Sequence, residues 1–277
     1  MQKLSARYPV WFCDIWGVVH DGMRPNPVTV DTLLRHRRGG GTVILITNAP
    51  RPAETIALHL EGMGCDAGIS DAIVTSGDVT RSLIRHHAGR GIFHLGPPRD
   101  LVLLDGIDVT RVALAEASAI LCTGLFNDLK EAPDDYRDLL AEAKAHGLPM
   151  ICANPDHVVR HGHRLLYCAG SLAAAYGAIG GEVLMAGKPY RPIYAEALAR
   201  ASAMRGETVA LDRILAIGDG PETDVRGATD FGIDVVLVAD GIADPEADPA
   251  SIEAEALRLV PQARIVATRR SLDWAGA

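Results

Sequence analysis

Val10-Trp11-Phe12-Cys13-Asp14-Ile15-Trp16-Gly17-Val18 is the stretch that decides the fold. Four apolar residues run straight into a carboxylate. A continuous run of this kind, rich in aromatic and branched side chains, reads as a short strand buried on both faces. Thr42-Val43-Ile44-Leu45-Ile46 reads the same way. Between the two, residues 28–38 place apolar side chains at Val30, Leu33 and Leu34, and Gly39-Gly40-Gly41 follows. That spacing predicts a helix closed by glycine and turned into the next strand. No strand precedes these glycines, so they read as a cap and turn rather than a phosphate loop. Residues 53–63 carry Ile56, Leu60 and Met63 on one helical face. Strand–helix–strand–helix is the pattern of a parallel sheet with crossover connections.

The same pattern returns near the C-terminus. Residues 192–204 predict a helix, 214–217 a strand, 224–231 a short helix, 233–238 a strand and 264–267 an edge strand. The middle of the chain reads as a unit of its own. It has strands at 91–95, 119–122 and 149–153 and helices at 133–146 and 171–179. The expected fold class is α/β, a doubly wound parallel sheet with a second α/β domain inserted into it. The expected boundaries are 1–79 with 186–277 for the outer domain and 80–185 for the insert.

Composition narrows the function. The 277 residues carry 27 Lys and Arg against 35 Asp and Glu, a formal charge of −8. That surface argues against nucleic acid, whose binding rests on neutralising phosphates with Lys and Arg. The five cysteines (Cys13, Cys65, Cys122, Cys152, Cys168) form no C-x-x-C pair, and an odd count does not suit a disulfide framework. No apolar run reaches the roughly 18 residues of a membrane span. The N-terminal residues before Asp14 hold no signal-peptide core. The expectation is a cytoplasmic protein with neither nucleic-acid nor membrane partners.

In parallel α/β sheets, ligands gather at the carboxyl ends of the strands. Four such places carry polar residues here: Asp14; Thr47-Asn48; Gly187-Lys188-Pro189, opening a helix; and Gly218-Asp219-Gly220-Pro221-Glu222-Thr223-Asp224. Taken singly each has a plainer reading. Asp14, Asp219 and Asp224 suit helix caps or turns, Thr47 a turn hydroxyl, and Lys188 an exposed lysine. Together they supply what phosphoryl transfer needs. A carboxylate can attack phosphorus, a hydroxyl and backbone amides can hold non-bridging oxygens, and a lysine can offset charge. Paired acids can hold Mg²⁺, which prefers oxygen ligands.

In order and spacing these motifs resemble the haloacid dehalogenase (HAD) superfamily, and within it the class IIA, nitrophenylphosphatase-like branch. Asp14-Ile15-Trp16-Gly17-Val18-Val19-His20-Asp21-Gly22 matches the first motif and Ile46-Thr47-Asn48-Ala49 the second. Gly187-Lys188-Pro189 matches the third and Gly218-Asp219 with Asp224 the fourth. Ala153-Asn154-Pro155-Asp156 is similar to a motif of the branch's cap domain. The resemblance implies a Rossmann-like core, an inserted α/β cap domain of the kind that defines the branch, and a nucleophile at Asp14. It implies Mg²⁺ held by Asp14, Asp219 and the backbone carbonyl of Trp16, with Asp224 supporting the metal shell. Thr47 and Lys188 would bind the phosphoryl group, and Asn48 would contribute its backbone amide. The implied substrate is a small phosphorylated metabolite. Cap-to-cap homodimers are common in the branch, which leaves the oligomeric state open.

One position departs from the pattern. The family's phosphatases usually carry a second aspartate two residues after the nucleophile, as general acid and base, and Trp16 stands there. The carbonyl survives, but an indole N–H donates without a useful pKa. A positioned acid/base contributes about 10²–10⁴-fold, roughly 3–5 kcal/mol of barrier. Three readings stay open: Asp21 or His20 substitutes, the substrate has a good leaving group, or the protein is a weak or inactive phosphometabolite-binding protein. Trp16 itself reads equally as an apolar wall or as a stacking surface. A receiver-like phosphoacceptor would also use strand-end Asp, Thr and Lys, but the insert and the acids after Lys188 disfavour it.

Other features read more plainly. His157, His161 and His163 suit a solvated hairpin, since no Cys or carboxylate completes a ligand set. Residues 170–175 read as a small-residue helix packed on a sheet, with an anion site at its N-terminus as the alternative. No G-x-G-x-x-G, Walker or G-x-S-x-G motif occurs.

Overall fold

The computed structural model describes residues 1–161, 164–239 and 248–275. Its strands in chain order are β1 (Val10–Asp14), β2 (Thr42–Thr47), β3 (Ala72–Thr75), β4 (Arg90–Leu95), β5 (Val109–Arg111), β6 (Ala119–Cys122) and β7 (Met150–Cys152). They continue with β8 (Val158–His161), β9 (Arg164–Tyr167), β10 (Val183–Met185), β11 (Ile214–Gly218), β12 (Asp234–Val238) and β13 (Ile265–Arg269). The helices are α1 (Gln2–Arg7), α2 (Pro27–Arg38), α3 (Ala53–Gly62), α4 (Ser76–Ile84), α5 (Arg137–Ala145), α6 (Ala169–Ala178), α7 (Arg191–Arg205), α8 (Arg226–Phe231) and α9 (Pro249–Leu259).

Two compact units share the chain. The first holds Met1–Thr47, Glu54–Val74 and Lys188–Ala277, and the second Asn48–Ala53 and Thr75–Gly187. The first is built on a six-stranded sheet ordered β13-β12-β11-β1-β2-β3. Strand β1 lies parallel to β2 on one side and β11 on the other. The chain winds outward from β1 in one direction and from β11 in the other, so the switch point falls between these two strands. Every residue of β1 and β2 is buried, as their unbroken apolar runs require. Helix α2 starts where Asn26 Oδ1 accepts the backbone N–H groups of Val28 and Thr29, with Pro27 at its first position.

The second unit is itself a small α/β layer. Its five strands run parallel in the order β10-β7-β6-β4-β5. Leu95, Ile120, Met150, Leu172 and Tyr176 lie in a core on one face, and Ile84, Ile92, Leu121 and Ile151 in another. Strands β8 and β9 pair as an antiparallel hairpin. Of the expected histidine cluster, His157 is exposed, whereas His163 lies outside the described residues, as does the side chain of His161.

The structure adds α1, β3, β5, β10 and α9 to the expected elements. Strands β3, β5 and β10 are only three or four residues long, too short for a periodic signal, and are recruited by neighbouring strands. Helix α4 opens on Ser76-Gly77, weak formers that Thr75 Oγ1 caps by accepting from Asp78 N–H at 2.9 Å. The expected helix over 133–146 is divided, because Pro133–Tyr136 forms a tight 3₁₀ turn before α5. Among the described residues no helix is long and apolar enough to cross a membrane.

Candidate active site

Asp14 is the last residue of β1 and stands in register with Ile46 of β2. Thr47 is thus one residue beyond that level on the neighbouring strand. On the other side Cys13 is level with Ile217, which sets Gly218 beside Asp14 and Asp219 just past it. Strand register alone therefore brings three of the four motifs to one sheet edge, at the switch point.

Asp14, Asp219 and Asp224 offer carboxylate oxygens that all lie within 4.8 Å of one another. Lys188, only 3% exposed, donates from Nζ to Asp14 Oδ1 at 2.6 Å and to Asp224 Oδ1 at 2.7 Å. Burial draws the ammonium's pKa down, but Asp14 and Asp224 outweigh it and hold it well above the ordinary lysine value. Burial raises the Asp14 carboxyl, and its acidic neighbours Asp224 and Asp219 add to that against the pull of Lys188. Three carboxyl groups thus crowd around a single ammonium. A divalent cation among those oxygens fits the donor set, since oxygen-rich clusters hold hard cations.

Backbone form is matched to this cluster. Gly17 has φ +84°, and a Cβ there would stand 2.2 Å from Asp219 Oδ2. Only glycine lets the loop after β1 pass so close to the acid. The second carboxylate oxygen of Asp224 accepts from the Gly220 N–H at 3.2 Å, so Asp224 spans its own turn and the Lys188 ammonium.

Trp16 lies in the loop after β1, half-buried. Its indole meets the His20 ring edge-on at 5.3 Å, and its six-membered ring covers Gly22, where a Cβ would come within 2.7 Å. His20 Nδ1 accepts the Gly22 N–H at 2.9 Å, and burial lowers its pKa to about 4, so the ring is neutral at pH 7. Asp21 is exposed, and its Oδ1 accepts from the N–H groups of Met23 and Arg24. Neither has the form of a poised acid: His20 lacks the imidazolium proton, and Asp21 is spent on its own turn.

Asn48 belongs to the second unit. Its Nδ2 donates to Asp156 Oδ1 at 2.8 Å. Sequence reasoning quoted Asp156 within its motif and gave it no task; a partner 108 positions away left no local signal. The buried Asp100, which pairs with Arg51 at 3.3 Å, drew no attention in the sequence.

Comparison with known proteins points to one family. A family model described as haloacid dehalogenase-like hydrolase matches residues 11–110, and a HAD-hydrolase-like model matches residues 185–262. A solved haloacid dehalogenase-like family hydrolase from Brucella suis 1330 is 43% identical, covers 98% of both chains and superposes with TM-score 0.90. The D-glycerol 3-phosphate phosphatase of Mycobacterium tuberculosis is 25% identical over 99% of this chain and 77% of its own. A solved glycerol phosphate phosphatase from that organism, in complex with magnesium, is 24% identical over 88% of this chain and 72% of its own, with TM-score 0.67. The fold is also that of a 4-nitrophenylphosphatase from Thermotoga maritima (22% identity, 98% and 97% coverage, TM-score 0.72). The chain belongs to the haloacid dehalogenase-like hydrolases. As such it is a hydrolase by family.

Proposed function

We propose that the chain is a Mg²⁺-dependent phosphatase that hydrolyses a small phosphorylated metabolite through an aspartyl-phosphate on Asp14. The carrying observation is the Lys188 bridge between Asp14 and Asp224, set among three buried carboxylates. Lys188 opposes the upward shift of the Asp14 carboxyl, which favours its anionic, nucleophilic form, and offers charge to the incoming phosphoryl group. Asp14, Asp219 and the Trp16 carbonyl are the proposed metal ligands, with Asp224 supporting them. The ion, when bound, would supply the positive charge that lets two anions approach. The divalent metal of the M. tuberculosis relative supports this assignment.

Asp14 attacks phosphorus, the P–O bond to the alcohol breaks, and the alcohol leaves with the bonding pair. A water then attacks the aspartyl-phosphate, giving inorganic phosphate and restoring the carboxylate. Thr47 Oγ1 and the Asn48 amide are assigned to the non-bridging oxygens. With Trp16 in place of an acid, the leaving alcohol draws its proton from solvent, so substrates with acidic leaving groups are favoured. We assign a cytoplasmic location, supported by five free and buried thiols.

A second reading, a phosphometabolite-binding protein with feeble turnover, is favoured by one observation: neither His20 nor Asp21 replaces the missing acid. A panel of p-nitrophenyl phosphate, acetyl phosphate and alkyl phosphates, with Mg²⁺ and with EDTA, separates the two. The phosphatase reading expects Mg²⁺-dependent release of phosphate that Asp14→Asn abolishes. Tight binding of one phosphate ester with no turnover of any would replace it with the binding role.

A further inference from the structure

The chain passes between its two units at Thr47/Asn48 and again at Gly187/Lys188. The residues just outside the second unit at these crossings are Thr47 and Lys188, the two assigned to the phosphoryl group. The residues just inside, Asn48 and Gly187, touch each other. A Cβ on Gly187 would stand 2.3 Å from Asn48 Oδ1 and 2.8 Å from Pro155 Cδ, so that place is open to glycine alone. The other end of the Asn48 amide donates to Asp156 Oδ1 at 2.8 Å. Asn48 is only 3% exposed, and its side chain is clasped between the two.

Asp156 is itself fixed. Its N–H donates to Asn154 Oδ1 at 3.1 Å, and its carbonyl accepts the Gly170 N–H at 3.1 Å. Gly170 lies so close to this turn that a Cβ would be 2.1 Å from Pro155 O and 2.5 Å from Asp156 O. The Asn154-Pro155-Asp156 turn is thereby seated on the first residues of α6. Gly170 serves this contact, while Ala169, Leu172 and Ala173 of the same helix pack in a core with Ile120 and Met150 of the five-stranded sheet.

We propose that Asp156 is a positioning residue for phosphate binding: it holds the Asn48 side chain, and through it the peptide that joins Asn48 to Thr47. Asp156 needs no contact with substrate for this. A carboxylate accepting from an amide is a strong, directional bond, and Asn48 cannot turn while it lasts. Because Asn48 also lies against Gly187, the same clasp fixes the chain entering Lys188. The proposal rests on the phosphatase reading, since it presumes that Thr47 and Lys188 receive a phosphoryl group.

Isothermal titration of the full chain with inorganic phosphate in excess Mg²⁺ tests it, alongside melting curves and p-nitrophenyl phosphate kinetics. Asp156→Ala is expected to weaken phosphate binding about tenfold, the scale of one lost charge-assisted bond. Asp156→Asn, whose Oδ1 still accepts from Asn48, is expected to stay within about twofold of the parent. Gly187→Ala, which leaves Asp156 intact but displaces the Asn48 amide, is expected to match Asp156→Ala and guards against simple misfolding of the first variant. A lower melting temperature in Asp156→Ala with unchanged phosphate affinity would make the residue merely structural and overturn the proposal. Unchanged affinity in Gly187→Ala would do the same. Failure of the phosphatase reading has a different mark: the parent chain would release no phosphate from any ester, whatever the variants bind.

Discussion

Lys188 Nζ lies 2.6 Å from Asp14 Oδ1, although 174 positions separate the two residues. The ammonium also bonds Asp224, so one cation is set among three carboxyl groups. Two consequences follow from that imbalance, one for the lysine and one for the cation that completes it.

Lys188→Ala removes the ammonium bonded to Asp14 and Asp224 and leaves buried carboxylates facing each other. Breaking a buried pair costs about 3–5 kcal/mol. Urea denaturation in EDTA is expected to show a loss of that size, with Mg²⁺ restoring part of it. Turnover of p-nitrophenyl phosphate is expected to fall at least about 100-fold, as for loss of a preorganised charge. Full stability of the variant without metal would mean the cluster's repulsion was never present.

Mg²⁺ is expected to stabilise the parent chain, by about 2.7 kcal/mol at a hundredfold excess over its Kd. Asp219→Asn keeps the shape beside Gly17 and removes one charge, so it should give up most of that increment. Thermal melts with Mg²⁺ and with EDTA measure it. Equal increments in parent and variant would remove Asp219 from the metal site.

Trp16→Asp restores a titratable group where the branch usually has one, and it uncovers Gly22. Turnover of alkyl phosphates is expected to rise about 10- to 100-fold, toward the gain a positioned acid gives. Aryl phosphates, whose leaving groups need no proton, are expected to change little. Steady-state kinetics on both classes decides, and an equal response would show that protonation is not limiting.

His36 and His94 make stability depend on acid. His36 stacks on Trp11 with ring centroids 3.7 Å apart, and His94 Nε2 meets Thr123 Oγ1 at 2.9 Å. Burial lowers both pKa values from 6.5 to about 4. Well above pH 6.5 both rings are neutral folded or unfolded, and stability is full. From 6.5 down to 4 the unfolded chain takes up protons that the folded one refuses, so stability falls by about 1.4 kcal/mol per pH unit for each ring. His36→Phe keeps the stacking and should flatten the decline measured by urea denaturation between about pH 7 and pH 4.5. An unchanged slope would exclude His36 as a source.

Much of this protein was legible before any coordinates. The buried runs ending in Asp14 and Thr47 and the glycine-closed helix between them determined the α/β class, and the order of four motifs pointed to the candidate site. Those signals are local: apolar periodicity and residue type survive in a linear chain. The structure alone decided what depends on distant partners. It paired Lys188 with both Asp14 and Asp224, seated Asp156 on Asn48, and spent Asp21 on its own turn. It also made three-residue strands such as β5 and β10, which have no period of their own and form because a neighbouring edge offers hydrogen bonds. Contacts between residues so far apart in the chain are set by how strands register and helices pack, and that information exists only once the chain has folded.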